Sequence, residues 1–273
     1  DIKAFKMDGL GNDFVIIDQR NQNFNLSKDQ IIKICNRDFI GCDQLIFIQK
    51  SEKKDAKLEF HNSDGSISGA CGNGTRCVAD FLSKENNDKE IVLWTSSGAL
   101  KSKILGNNLV ETEIGIAKTS WKEIPLNKDL DTKNLNIKIV SKDNVEHIGG
   151  TSINVGNPHV VFFVDNIEDY DLKKIGPEIE NHNYFPEKCN VTLAKVMNKN
   201  LIKVKVWERG AGLTKACGTA ACATAVAASI NGLTDKKTDI EFALGKLSIS
   251  IDKNNNIHMK GPVSNIKNIE IKI

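Results

Sequence analysis

The sequence predicts an α+β fold of two similar lobes, each a sheet wrapped around one central helix. Three observations carry that prediction. A glycine-rich turn opened by Ala-Cys-Gly occurs twice, in "SGACGNGTRC" at 68–77 and in "TKACGTAAC" at 214–222. Other stretches recur in the same order at nearly the same spacing. In each copy, apolar stretches of strand type stand on both sides of the helix that follows the cysteine.

Cys71 and Cys217 are 146 residues apart. "GNDFVIID" from Gly11 meets "GNPHVVFFVD" from Gly156 at a spacing of 145. "LEFHNSDGS" from Leu58 meets "VKVWERGAG" from Val204 at 146, and "GALKSKILGNN" from Gly98 meets "GKLSISIDKNN" from Gly245 at 147. Matches in one order, with a spacing that drifts one residue at a time, mark a duplicated unit.

Each copy opens on an apolar strand, 14–17 in the first and 160–164 in the second. Leu58 and Phe60, then Val204 and Val206, alternate with polar neighbours, which predicts a half-buried strand running into each cysteine turn. After the first turn, Cys77, Val78, Phe81 and Leu82 share one helical face. After the second, "AACATAVAASI" is apolar on every side, so that helix must be buried, and Asn231-Gly232 supplies its stop. Strands are expected next at 90–94 and 98–105, and at 240–243 and 246–251. Segment 119–146 has no counterpart in the first copy and is expected to join the second lobe. The last strand, 265–273, lies beyond the repeat and is expected to cross back. The domains expected are an N-terminal lobe, 1–118, with 263–273 returning to it, and a C-terminal lobe, 119–262.

Of the 273 residues, 40% are hydrophobic and 26% charged, with a net charge of +2. That is an ordinary globular composition, able to bury a sizeable core. No basic stripe stands out, so nucleic acid is not an expected partner. The opening "DIKAFKMDGLGNDFVIID" has no basic region followed by an apolar core, so it is not read as a signal peptide. The most apolar segment, 216–230, is too short for a bilayer. The expected setting is therefore cytoplasmic, with no membrane partner. Seven cysteines, an odd number with no export signal read, argue against a disulfide framework, and the lack of C-x-x-C spacing argues against a structural zinc site. Cys35, Cys42, Cys77, Cys189 and Cys222 read as small buried hydrophobes.

Cys71 and Cys217 read differently. A cysteine at a helix start meets unpaired backbone N–H groups and the positive end of the helix dipole, both of which favour the thiolate. The same groups suit a carboxylate, and Gly72 and Gly218 let it approach the backbone. Two lobes related by an approximate twofold axis would bring both thiols to the two faces of one α-carbon. One sulfur would remove the α-proton and the other would return a proton to the opposite face. Arg209, one of four arginines, lies in "WERGAG" and suits a second carboxylate, while Glu208 beside it suits an ammonium. Without the repeat, those two would read as a surface ion pair. Asn12, Asn62, Asn157 and Asn190 stand at strand ends, where turn chemistry is their ordinary role. His159 after "GNP" is either a structural histidine or one that tunes a thiol.

"MDGLGNDFVIID", "HNSDGSISGACGNGTRC", "GNPHVV" and "ERGAGLTKACGTAACA" closely resemble the diaminopimelate epimerase family, in order and spacing over nearly the whole chain. The resemblance implies a fold of two lobes, each a β-barrel-like wrap around a central helix, paired as a homodimer. It implies a cofactor-independent enzyme that interconverts LL- and meso-diaminopimelate for lysine and peptidoglycan synthesis. By motif, Cys71 and Cys217 match the catalytic pair. Asn12, Gln44, Asn62, Asn157, Asn190, Glu208 and Arg209 match ligand-binding positions. Gly72-Asn73 and Gly218-Thr219 match the segments that hold the α-carboxylate, and His159 and Glu208 match positions that adjust the thiols. Relatives on the same fold remain open, among them proline-racemase-like and phenazine-biosynthesis-like isomerases. So do a cysteine hydrolase with His159 as base, which would use only one of the two turns, and a non-catalytic amino-acid-binding protein.

Overall fold

The computed structural model describes residues 1–22, 24–69, 71–96 and 98–273; Ala70 of the first Ala-Cys-Gly turn lies outside them. The chain divides into two compact units, Asp1–Glu113 with Lys260–Ile273, and Ile114–Met259. The joint falls after 113, where the sequence placed it after 118.

The first unit contains β1 (Ile2–Gly9), β2 (Asn12–Asp18), α1 (Lys28–Cys35), β3 (Gln44–Gln49), β4 (Ala56–Asn62), β5 (Ile67–Ser68), α2 (Gly72–Asn86), β6 (Glu90–Thr95), β7 (Gly98–Gly106) and the start of β8 (Leu109–Ile116), which ends in the second unit. Its strands neighbour one another in the order β1-β2-β3-β4-β6-β7-β8, with β5 added to β4. The pairs β2/β3 and β4/β6 are parallel and the rest antiparallel.

The continuous apolar run of β2 has a physical cause. Successive strand residues point to opposite faces, and here both faces are covered. Phe14 and Ile16 enter the core around α2, while Val15 and Ile17 enter a second core under α1. Ile46 and Ile48 of β3 divide from Leu45 and Phe47 in the same way. The outer helix α1 starts with a reciprocal cap between Ser27 and Gln30. Its short apolar stripe, Ile31, Ile34 and Cys35, is too brief to stand out in the sequence.

Helix α2 packs on β1 and β2 near one end of the strand order and on β6 and β7 near the other. One helix can touch both ends only if the sheet curls around it. At Gly74 the helix presses on the sheet: a Cβ there would lie 2.7 Å from Ile46 Cδ1 and 2.9 Å from Phe60 Cε1. The glycines of "CGNG" thus fit the helix start closely to β3 and β4. Burial of α2 also extends beyond the apolar face read from the sequence. Asn73, Thr75, Arg76 and Asp80 are buried with it, and Lys84 pairs with Asp80 at 2.9 Å.

The second unit contains β9 (Ile137–Val140), β10 (Glu146–Gly149), β11 (Thr151–Asn154), β12 (Pro158–Phe163), α3 (Leu172–Glu180), β13 (Asn190–Asn198), β14 (Leu201–Glu208), β15 (Gly212–Thr214), α4 (Gly218–Ile230), β16 (Lys237–Phe242), β17 (Gly245–Ile251) and the start of β18 (Asn256–Pro262), which ends in the first unit. β9 and β10 form their own hairpin. The others run β11-β12-β13-β14-β16-β17, with β15 on β14. Again two pairs are parallel, β12/β13 and β14/β16. They occupy the same places in the order as β2/β3 and β4/β6, so the duplication holds for topology as well as for sequence. Pairing keeps the spacing too: Phe14 faces Gln44 as His159 faces Asn190.

Helix α4 packs on β11 and β12 and also on β16 and β17, so this sheet likewise wraps its helix. Residues 220–228 of α4 are buried, six of them alanines. Small side chains all round let strands approach from every side. The helix ends at Asn231, followed by Gly232 at φ +69°, as the sequence indicates. The last strand, β19 (Lys267–Ile271), pairs antiparallel with β1, which places the crossing strand in the first unit. Among the described residues no helix is long and apolar enough to cross a membrane.

Candidate active site

Cys71 and Cys217 are the N-cap residues of α2 and α4. Their backbone is extended, with φ −112° and −141°. Their carbonyls accept the first helical bonds, from Thr75 N at 2.9 Å and Ala221 N at 3.0 Å. This is the position where Ser or Asp ordinarily offers an oxygen to unpaired helix N–H groups. A cysteine stands there in both units; the Cys217 sulfur caps its helix, whereas Cys71 makes no side-chain cap bond. The central helix is anchored by its buried flank, so the sheet wrap sets where each sulfur stands.

In the first unit, Cys71 Sγ lies 3.5 Å from Asn12 Oδ1, and Asn73 Nδ2 donates to the same oxygen at 3.1 Å. The amide nitrogen of Asn12 donates to Asp43 at 2.9 Å. Arg37 holds Asp43 at 2.7 Å and grips Asp13 with two bonds of 2.6 and 2.8 Å. Burial opposes the Asp13 carboxylate, yet the Arg37 guanidinium holds its pKa below the ordinary value. On the other side, fully buried Arg76 donates to Asn73 Oδ1 at 2.7 Å. A charge at each end therefore orients both amides: Asp43 takes the nitrogen of Asn12, and Arg76 takes the oxygen of Asn73. The Asn12 carbonyl is left facing Cys71. Gln44 donates to Asn62 at 3.1 Å and to Ser68 at 3.0 Å. These two form their own pair across β3 and β4, where Gln44 and Asn62 stand opposite one another.

In the second unit, Cys217 Sγ accepts from Ala220 N at 3.4 Å and lies 3.4 Å from Thr219 Oγ1. Thr219 Oγ1 in turn meets His159 Nε2 at 3.0 Å and Asn157 Nδ2 at 3.3 Å. His159 Nε2 also meets Asn157 Oδ1 at 2.8 Å. His159 is fully buried, and its pKa is driven down to about 3 by burial and then by the charge of Arg209. Its Nδ1 is buried without a hydrogen-bond partner, so the proton of the neutral ring sits on Nε2 and is donated to Asn157. Asn157 donates to the Thr219 hydroxyl, whose own hydrogen is then available to the sulfur. His159 is thus a neutral group touching Thr219, whose hydroxyl lies beside the Cys217 sulfur.

That burial has a consequence for stability. An unfolded histidine takes up a proton near 6.5, whereas His159 resists until about 3. Across this window the unfolded chain binds more protons, so the fold loses stability as pH falls. Relative to His159→Gln, the parent should show one proton's extra slope, about 1.4 kcal/mol per pH unit. Urea unfolding between pH 6.5 and 4 measures it, and parallel profiles would place the proton elsewhere.

Asn190 is buried and joins two backbones: its nitrogen donates to Pro158 O at 2.9 Å, and its oxygen accepts from Arg209 N at 2.8 Å. The Arg209 side chain is exposed and donates to Glu187 O at 3.0 Å. Glu208, the last residue of β14, is half-buried. Gly72 and Gly218 are buried at the helix starts. The structure thus gathers Asn12, Cys71 and Asn73 in one unit, and Asn157, His159, Cys217 and Thr219 in the other, with Asn190 fastened to Arg209. Sequence reasoning missed Asp43 and the anchoring role of Arg76. An arginine, one of four in the chain, five positions after the cysteine was the available signal for Arg76.

The family model described as diaminopimelate epimerase matches two stretches of the chain, residues 4–120 and 151–266. A diaminopimelate epimerase of Pelagibacter ubique (strain HTCC1062) is 76% identical over all of both chains. One of Caulobacter sp. (strain K31) is 42% identical, covering 95% of this chain and 93% of that one. The fold is shared with a hydroxyproline epimerase from Agrobacterium vitis at a TM-score of 0.67 and 11% identity, over 99% of this chain and 90% of that one. Two matched stretches, each carrying one N-cap cysteine, and 76% identity over the whole of one relative lead to one conclusion: the chain belongs to the diaminopimelate epimerase family.

Proposed function

We propose that this protein interconverts LL- and meso-2,6-diaminopimelate without a cofactor, with Cys71 and Cys217 as its acid–base pair. The observation that carries the reading is the cysteine at the N-cap of the central helix in each duplicated unit. One thiolate takes the α-proton, leaving a carbanion at the α-carbon. The other sulfur gives its own proton to the opposite face, and the two sulfurs exchange protonation states. A reaction that treats two mirror-related faces alike suits a duplicated scaffold. The helix-start N–H groups of Gly72-Asn73 and Gly218-Thr219 would receive the α-carboxylate. Asn12, Gln44, Asn62, Asn157 and Asn190 would line the substrate, with Glu208 and Arg209 at its far amine and carboxylate. His159 and Glu208 would adjust the thiols, His159 by way of Thr219. The product serves lysine and peptidoglycan synthesis, and the family resemblance supports a cytoplasmic homodimer.

Incubation with LL-diaminopimelate in heavy water, with no added cofactor, tests the reading. The expected result is conversion toward a mixture of LL and meso isomers with deuterium at the inverted α-carbon. Folded protein that leaves the α-hydrogen in place would overturn it.

A further inference from the structure

The turn after β14 is held from beneath by α3. Gly176 lies directly under Trp207: a Cβ there would come within 2.5 Å of the indole Cδ2 and would also meet Cγ. One helical turn later, Glu180 is buried with a carboxylate that serves two donors. Its Oε1 accepts from Trp207 Nε1 at 2.8 Å, and its Oε2 accepts from Gly210 N at 3.1 Å. Trp207 and Gly210 bracket Glu208 and Arg209. The Arg209 N–H goes to Asn190 at 2.8 Å. Two consecutive backbone N–H groups are therefore bound by buried side chains from α3 and β13, and the direction in which Arg209 leaves the chain is set.

A buried carboxylate costs much to desolvate, and an apolar side chain of its size would fill the space more cheaply. If Glu180 served only to seat Trp207, one oxygen would suffice. The second oxygen goes to the peptide that follows Arg209. Among the described residues the first unit shows no such device. The residue matching Trp207 is His61, whose Nε2 meets Glu59 of its own strand at 2.6 Å. The thiol turn is duplicated, whereas this clamp belongs to the unit that carries Arg209.

We infer that Glu180 is a positioning residue, holding the Glu208–Arg209 turn in the pose that receives the far end of the substrate. This rests on the function proposed above, and the test separates the two. In the ligand-free full-length protein, amide hydrogen exchange of segment 207–212 should quicken about tenfold in Glu180→Gln and in Trp207→Phe, the worth of one hydrogen bond, while α4 stays protected. Unchanged exchange in that segment overturns the inference, whatever the substrate is. With LL-diaminopimelate, Glu180→Gln should raise KM about tenfold and leave kcat within about threefold. In an Arg209→Ala background the same change should add little, because the residue it positions is gone. Additive losses, or a lower Tm with KM unchanged, would make Glu180 a purely structural residue. Failure of the parent protein to epimerise diaminopimelate would sink the proposed function, and the exchange experiment would still decide the role of Glu180.

Discussion

Replacing Cys217 with serine is expected to lower epimerisation of diaminopimelate by about 10²–10⁴-fold, the range for losing one general acid–base group. Cys217 is an N-cap, and serine is a favoured N-cap residue, so α4 should keep its start. Volume and hydrogen bonding are nearly preserved as well. What changes is acidity: a serine hydroxyl neither ionises near neutral pH nor yields its proton readily. Inversion needs a donor on one face and a base on the other, so one good partner is insufficient. The remaining thiolate should still exchange the α-hydrogen of the isomer that presents it. Cys71→Ser should give the reciprocal result, with the preference for isomer reversed, and the double variant should lose both exchanges.

The other cysteines supply the controls. Cys77 and Cys222 lie inside α2 and α4 at 0% exposure. Burial pushes the Cys77 thiol well above its ordinary pKa, which suits an inert packing group. Serine there should alter stability and leave exchange nearly intact. Measuring deuterium wash-in from each pure isomer decides the matter. If Cys222→Ser damages exchange as much as Cys217→Ser, the two-thiol assignment is wrong.

Arg209→Ala is expected to weaken diaminopimelate binding about ten- to a hundredfold, with loss of a charge-assisted bond worth roughly 1.5–3 kcal/mol. The side chain is exposed, and its backbone is held by Asn190, so its removal should not disturb folding. Arg209→Lys keeps the charge but loses the planar fork, and should fall between the two. Titration calorimetry with each protein reads the effect directly. An unchanged affinity would move the distal carboxylate to another residue.

These expectations came from the chain at different depths. Duplication, the paired cysteine turns and the buried helix after the second of them were legible in the sequence, because each is carried by neighbouring residues. A spacing of 146 needs no structure, and neither does an eleven-residue run apolar on every side. The crossing strand was visible as an apolar stretch outside the repeat, and β1 is its partner. The outer helices α1 and α3 were not visible. Each buries a short stripe against the outer face of its own sheet, α1 against β3 and α3 against β13 and β14, and that covering shows only once the strands are in place.

Only the tertiary structure brought Asp43, Asn12, Asn73 and Arg76 into one chain of oriented amides. Its members lie up to 61 residues apart for a single bond, and an asparagine's sequence context does not say which end of its amide faces a sulfur. The same holds for His159. Its residue type predicts a group that titrates near neutrality, but complete burial keeps it neutral, with Nε2 between Asn157 and Thr219. Desolvation belongs to a place and not to a residue. Glu180 reads in the sequence as one more surface acid on a short helix. It becomes the support of Arg209 because folding brings α3 beneath β14 and leaves two N–H groups there that only an acceptor can satisfy.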